Sequence, residues 1–143
     1  MRSFRLWMCL AMLIPAPLVL PVQAQDQIEG VPSVITQGLA AYRDVGMDQA
    51  FRVWLRNSPL HWEPALAAPL HQAQAAYGPL QSWEVIGQRS LANRTEVVYM
   101  VLDYEQGPLF AKFVAYRTEQ QGWVIASMKF NEDEEAVLPF QPI

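Results

Sequence analysis

The sequence predicts an α+β domain, with N-terminal helices packed on a curved four-stranded antiparallel meander, and three observations carry that expectation. Apolar residues recur every three to four positions between Val34 and Tyr77. From Leu80 onward the period changes to two. The loops between the alternating stretches, Ala92-Asn93, Gln106-Gly107 and Gln121-Gly122, are too short to hold a crossover helix, so neighbouring strands run antiparallel.

Ahead of these elements, residues 1–24 read as an export leader. Arg2 and Arg5 give a positive start, an apolar run follows from Leu6 to Ile14, and Val22-Gln23-Ala24 offers the residues a signal peptidase reads. A membrane-spanning helix needs about 20 uninterrupted apolar residues. Pro15 and Pro17 break this run first, so cleavage after Ala24 is expected and no membrane association after it. Residues 25–143 then form one domain with a short acidic C-terminal tail, in the periplasm or outside the cell. Met8 is too large for the position before a lipidated cysteine, which argues against lipid attachment at Cys9. Cys9 is also the only cysteine, so the mature chain enters an oxidising compartment with nothing to pair and depends on packing.

Loss of Arg2 and Arg5 leaves eight basic residues against fourteen acidic ones. That balance repels phosphate backbones, and no basic stripe interleaves with aromatics, so nucleic acid is not an expected partner.

In the first helix, Val34, Ile35, Gly38, Leu39 and Tyr42 form the apolar stripe behind a Ser33 cap, and the helix ends near Gly46. Asp48 caps a shorter second helix whose stripe is Ala50, Phe51, Trp54 and Leu55, and Ser58-Pro59 interrupts it. The third runs from about Pro64 to Tyr77, with Leu66, Leu70, Ala73 and Tyr77 on one side. Pro69 leaves two arrangements open, a start near Ala68 or a kink at the proline.

The strands are expected at residues 81–91, 95–105, 109–118 and 123–131. A two-residue turn at Gln106-Gly107 pairs Leu102 with Ala111 and Met100 with Phe113. A similar turn at Gln121-Gly122 sets Phe113 opposite Phe130 and Ala115 opposite Met128. One face then carries Val98, Met100, Leu102, Leu109, Ala111, Phe113, Ala115, Ala126, Met128 and Phe130, and the helices are expected to settle there. The other face carries Tyr99, Val101, Asp103, Phe110, Lys112, Val114, Tyr116, Trp123, Ile125 and Lys129. It is too aromatic for a solvated face. A partner or second copy covers it, or the sheet's twist folds part of it over the core, or the first helix covers it. The last strand is expected to be an edge open to pairing with another chain, as in an envelope assembly.

Helices first, then a curved meander, resembles the cone-fold superfamily of ketosteroid isomerase-like, nuclear transport factor two-like and SnoaL-like proteins. The residues that carry the resemblance are Ala50-Phe51-x-x-Trp54-Leu55, the break at Ser58-Pro59, the Tyr77-Gly78 lead-in to the sheet and the closing Gly122-Trp123-Val124. It spans Val34 to Asn131 and is one of architecture. The resemblance implies a pocket between helices and concave sheet, and a homodimer through the sheet's other side, here Tyr99, Phe110, Tyr116 and Trp123. The isomerase arrangement needs a carboxylate base and a tyrosine donor inside the cone. Glu96 reaches the apolar face only near a strand end and Asp103 lies on the other face, so that site carries over to no position.

His61 and His71 are the only histidines, and without a cysteine or a close histidine pair they make no zinc set. Asp103 and Lys112 are diagonal neighbours in the expected register, which suits an ion pair of roughly 0.2–1 kcal/mol better than an acid/base couple. No nucleophile elbow, phosphate-binding glycine loop or dinucleotide fingerprint occurs. Glu132-Asp133-Glu134-Glu135 reads as a solvated tail, since a calcium loop spreads its ligands around a glycine turn.

These observations point to an exported, non-catalytic domain that binds a partner protein, of the envelope for example, or a small apolar ligand, without metal or cofactor. Tyr42, Trp54, Tyr77, Met100 and Phe113 are the candidate pocket residues. The alternative is a small SnoaL-like isomerase, cyclase or hydratase using a pocket acid/base, with His61 or Asp103 as the base. A polar group aimed into an enclosed cavity marks the enzyme, and a filled interior leaves an interaction or structural role.

Overall fold

A computed structural model describes residues 30–139; the proposed leader lies outside them. Three helices, α1 (Ser33–Asp44), α2 (Met47–Trp54) and α3 (Pro64–Tyr77), precede four strands, β1 (Leu80–Ala92), β2 (Thr95–Tyr104), β3 (Gly107–Thr118) and β4 (Gly122–Asn131). The strands pair in sequence order as an antiparallel meander. The helices pack on one face of this curved sheet, the α+β arrangement that the change of period predicts.

The helical stripes are buried much as their spacing implies. Ile35, Gly38, Leu39 and Tyr42 of α1 face inward, as do Met47, Ala50, Phe51 and Trp54 of α2. Both expected caps are corrected: Pro32 and Gly46 hold the cap positions, and neither makes a side-chain cap bond. Ser33 and Asp48 lie inside the first turns, where the Asp48 charge favours the positive end of the helix dipole. Helix α3 resolves the proline ambiguity by starting at Pro64, whose missing N–H is harmless in the first turn, and by running on through Pro69.

Gly38 explains why α1 and α2 lie so close. A Cβ at that position would stand 2.0 Å from Nε1 of Trp54. The indole instead slides over the bare backbone and donates to the carbonyl of Ile35 at 3.3 Å. Its ring meets Phe51, Phe113 and Phe130 with centroids 5.4, 5.5 and 5.9 Å away.

On the sheet, the expected faces hold across β2 and β3 and the expected register does not. Leu102 pairs with Leu109 and Met100 with Ala111, two residues away from the pairing that a Gln106-Gly107 turn requires. The turn is Glu105-Gln106, and Gly107 already belongs to the strand, opposite Tyr104. A side chain at Gly107 would stand 2.7 Å from the Tyr77 ring, so this glycine answers a close approach by α3. Phe113 likewise faces Met128, and Ala111 faces Phe130. A bulge between Val114 and Ala115 then inverts the alternation of the β3–β4 end. Ile125 enters the core in place of Ala126, and Trp123 packs against the core from the helix side, both corrections to the expected outer face.

The outer face also differs from expectation at the C-terminus. After β4 the acidic run forms a single 3₁₀ turn, Glu134–Ala136, in which the Asp133 carboxylate accepts from the amide of Glu135 at 3.0 Å. The chain then folds back, and Val137 is buried against Val97 and Tyr99, with Phe110, Val114 and Leu138 partly buried around them. Lys129 Nζ donates to the Ala136 carbonyl at 2.6 Å and ties this strap to β4. Glu132, Asp133, Glu134 and Glu135 are exposed, as the charge run predicts, while Val137 and Leu138 after them cover part of the sheet.

Candidate functional site

Among the described residues, side chains fill the centre of the space between helices and sheet. Trp54, Met100 and Phe113, three of the five candidate pocket residues, have 0% exposure and fill it rather than line it. Among the described residues no buried residue is charged or strongly polar apart from tyrosine hydroxyls, and every buried side-chain nitrogen or oxygen is hydrogen-bonded.

Tyr42 and Tyr77, the other two, meet Tyr104 at the rim of this interior. Their rings lie 6.3 and 6.5 Å from that of Tyr104. Tyr42 donates to Oε1 of Gln74 on α3 at 3.1 Å, so the 3.0 Å contact between the two hydroxyls has Tyr104 as donor. Burial raises the pKa of both phenols. The shared hydrogen bond partly opposes that rise at Tyr42 and adds to it at Tyr104, since the donor must keep its proton.

Tyr42 also forms part of the wall of an open cleft of about 640 Å³ between the α1–α2 junction, α3 and the start of β1. Arg43, Gln49, Arg52, His71 and Gln74 supply polar groups there, and Val45, Met47, Pro79 and Leu80 the apolar surface. Arg43 is held in place, its Nε 2.8 Å from Asp44 and its guanidinium 5.0 Å from the Trp83 ring centroid. That pairing lowers the Asp44 pKa and raises that of Arg43. On the far side of Asp48 and Arg52 a second hollow is lined by Phe51, Leu55 and Trp62. Val45 is 75% exposed and Trp62 58%, so large apolar groups stand in solvent at both hollows.

The candidate acid/base residues lie elsewhere. His61 is exposed in the α2–α3 connection. Asp103 sits on the outer face opposite Pro108 and accepts from the Ser82 hydroxyl at 3.3 Å. The two-residue shift in register separates it from Lys112, which pairs with Tyr99 on one side and Lys129 on the other. The expected Asp103–Lys112 contact is therefore absent, and the Lys112 ammonium stands 5.9 Å from the Tyr99 ring centroid. Glu96 accepts from Ser90 and from Gln88 at the far end of the β1–β2 hairpin.

Of the four residues expected to form a partner face, Tyr99 and Phe110 lie against the strap, Trp123 turns to the helix side, and Tyr116 remains 39% exposed. The β4 edge is partly tied down, because the Ser58 hydroxyl donates to the carbonyl of Ile125. Among the described residues no three His, Cys, Asp or Glu side chains gather as a metal site, and no helix is long and apolar enough to cross a membrane.

The cleft escaped the sequence reading because its polar residues occupy the outer faces of α2 and α3, where periodicity marks solvent. One signal was available. Tyr42 is the only stripe residue of α1 with a polar tip, and a buried tyrosine hydroxyl requires a partner. No family model matches this chain, and no curated protein or solved structure matches it either.

Proposed function

We propose that the protein is an exported, non-catalytic domain of cone-like architecture that binds a partner protein through the surface beside α2. The filled interior carries this reading. Trp54, Met100 and Phe113 are at 0% exposure, so among the described residues the centre of the space between helices and sheet leaves no room for a substrate or a small apolar ligand. An acid/base enzyme of the SnoaL type needs a polar group aimed into such a cavity, and His61 and Asp103 both stand outside that space. Helices followed by a curved meander support the cone-like assignment, and the Arg2, Arg5 and Leu6 to Ile14 pattern supports export.

The α2 surface suits protein contact by its composition. Exposed Trp62 and Val45 flank Arg52, which is shared by the two hollows, and tryptophan and arginine dominate binding energy at protein interfaces. The test is capture from the native envelope fraction by the immobilised mature chain, repeated with Trp62→Ala and with Tyr116→Ala. A protein whose affinity falls about tenfold or more with Trp62→Ala, and not with Tyr116→Ala, supports the reading. A partner held equally by all three baits moves the interface elsewhere. Turnover of a ketosteroid or a cyclisable polyketide by the wild-type chain overturns the non-catalytic part.

A further inference from the structure

We propose that the cleft beside α2 captures the free C-terminal carboxylate of the partner chain, and that the partner's last residue is apolar. This rests on the α2 reading above and names the part of the partner that fits it. A direction of hydrogen bonding carries the inference. Tyr104 donates to Tyr42 at 3.0 Å, and Tyr42 donates to Oε1 of Gln74 at 3.1 Å. Both links run from the interior outward, so the amide oxygen of Gln74 is engaged by the protein itself. What Gln74 presents to a ligand is the donor pair on Nε2, carried by an exposed side chain of α3.

The neighbouring polar groups have the same polarity. Arg52 and His71 share the cleft wall with Gln74, and a guanidinium has donors only. Arg43 adds a second guanidinium, held by Asp44 at 2.8 Å and stacked 5.0 Å from the Trp83 ring centroid, so its orientation is set before a ligand arrives. Among the described residues Asp48 is the one carboxylate on this wall. Asp44 and Asp48 balance Arg43 and Arg52, so recognition turns on donors meeting an acceptor and not on net charge. An ionised carboxylate only accepts, through two oxygens, whereas a terminal amide replaces one of them with donors. The cleft holds about 640 Å³, and Val45, Met47, Pro79 and Leu80 give it an apolar side, a seat for one apolar side chain next to the carboxylate. Asp48 and Arg52 also line the hollow that contains Trp62. A chain end therefore fits with its terminus in the cleft and its preceding residues toward Trp62, where an isolated small acid has no atoms to place. Capture of a C-terminal carboxylate is a recurrent mode of peptide recognition.

Titration of the mature chain with acetyl-Gly-Ser-Gly-Leu as the free acid and as the amide, followed by proton–nitrogen chemical shifts, reads this directly. The acid is expected to bind about tenfold or more tighter than the amide, as befits hydrogen bonds to a charged acceptor, and to shift the Gln74 side-chain amide and the Val45 backbone amide. Gln74→Glu keeps an acceptor for Tyr42 and removes the donors, so it is expected to weaken the acid by about tenfold or more. Acid and amide bound alike, neither bound, or an acid affinity that Gln74→Glu leaves unchanged overturns the proposal. Should Gln74→Glu lose its far-ultraviolet dichroism, Arg52→Gln, on the exposed side of α2, decides. Acid binding weaker by about tenfold supports the capture, and an unchanged affinity overturns it. A captured protein that depends on Trp62 and is held equally by the wild type and by Gln74→Glu leaves the α2 reading in place and overturns this inference alone.

Discussion

Two contacts govern the helix–sheet junction at the scale of single residues. Gly38→Ala removes a residue that costs a helix roughly 1 kcal/mol relative to alanine, yet its Cβ meets Trp54 at 2.0 Å. The ring cannot yield, because Phe51, Phe113 and Phe130 enclose it and its N–H is bonded to Ile35. Overpacking therefore wins, and Gly38→Ala is expected to lower stability by about 1–3 kcal/mol, seen as a lower urea midpoint at constant m. The Tyr42–Tyr104 pair leads to a pH dependence. Both phenols have pKa values raised above the ordinary 10.0 in the folded chain. The unfolded chain thus ionises first, so their stabilising contribution is complete below pH 10 and declines as the pH rises above it. The decline is at most about 1.4 kcal/mol per pH unit for each phenol. Urea midpoints between pH 8 and pH 11 are expected to fall less steeply for Tyr104→Phe than for the wild type; equal slopes would remove the hydroxyl pair as the cause.

At the scale of elements, Pro69 has the clearest consequence. Inside α3 it leaves the carbonyl of Ala65 without its usual amide, a defect of up to about 3 kcal/mol relative to alanine. Alanine returns the amide and gives back roughly 0.4–1 kcal/mol of unfolded-state freedom. Pro69→Ala is therefore expected to raise the melting temperature by several degrees; a lower value would show that packing of the half-buried ring outweighs the missing bond. Pro69 also shows where sequence reasoning stops, since periodicity located α3 while the tolerance of its proline depended on neighbours. The sheet teaches the same lesson. Alternation assigned Val98, Met100, Leu102 and Phe113 to the buried face, and a slip of two residues leaves every such assignment intact. It was therefore blind to the true register. Gly107 was read as a turn residue because glycine serves both tight turns and close approaches, and the Tyr77 ring that explains it is thirty positions away in the sequence. The Val114–Ala115 bulge, which exchanges Ala126 for Ile125, has no local signature either. The α2 cleft was illegible for a further reason: spacing along each helix says nothing of the gap between α2 and α3.

At the scale of the whole molecule, the described chain is held together by non-covalent contacts, with apolar packing at their centre. One apolar core joins all three helices to the sheet from Ile35 to Phe130, and the strap adds a smaller cluster on the opposite face. No covalent link contributes, because the only thiol, Cys9, precedes Ala24 in the proposed leader. A domain without a thiol gains nothing from an oxidising compartment and loses nothing in a reducing one. Two outcomes follow for the protein recovered from its native host. The mass of its N-terminal peptide is expected to place Gln25 first. Its thermal unfolding is expected to be the same with and without dithiothreitol, since no bond exists for the reductant to break. Recovery with Met1 or Cys9 still attached would show that the leader stays on the chain, and a melting temperature that moves with reductant would show that Cys9 is retained and pairs between chains. Only the identity of the first residue tests the export reading, because a lone cysteine has no partner within the chain and the reductant is without effect on an isolated molecule whether or not the leader is removed.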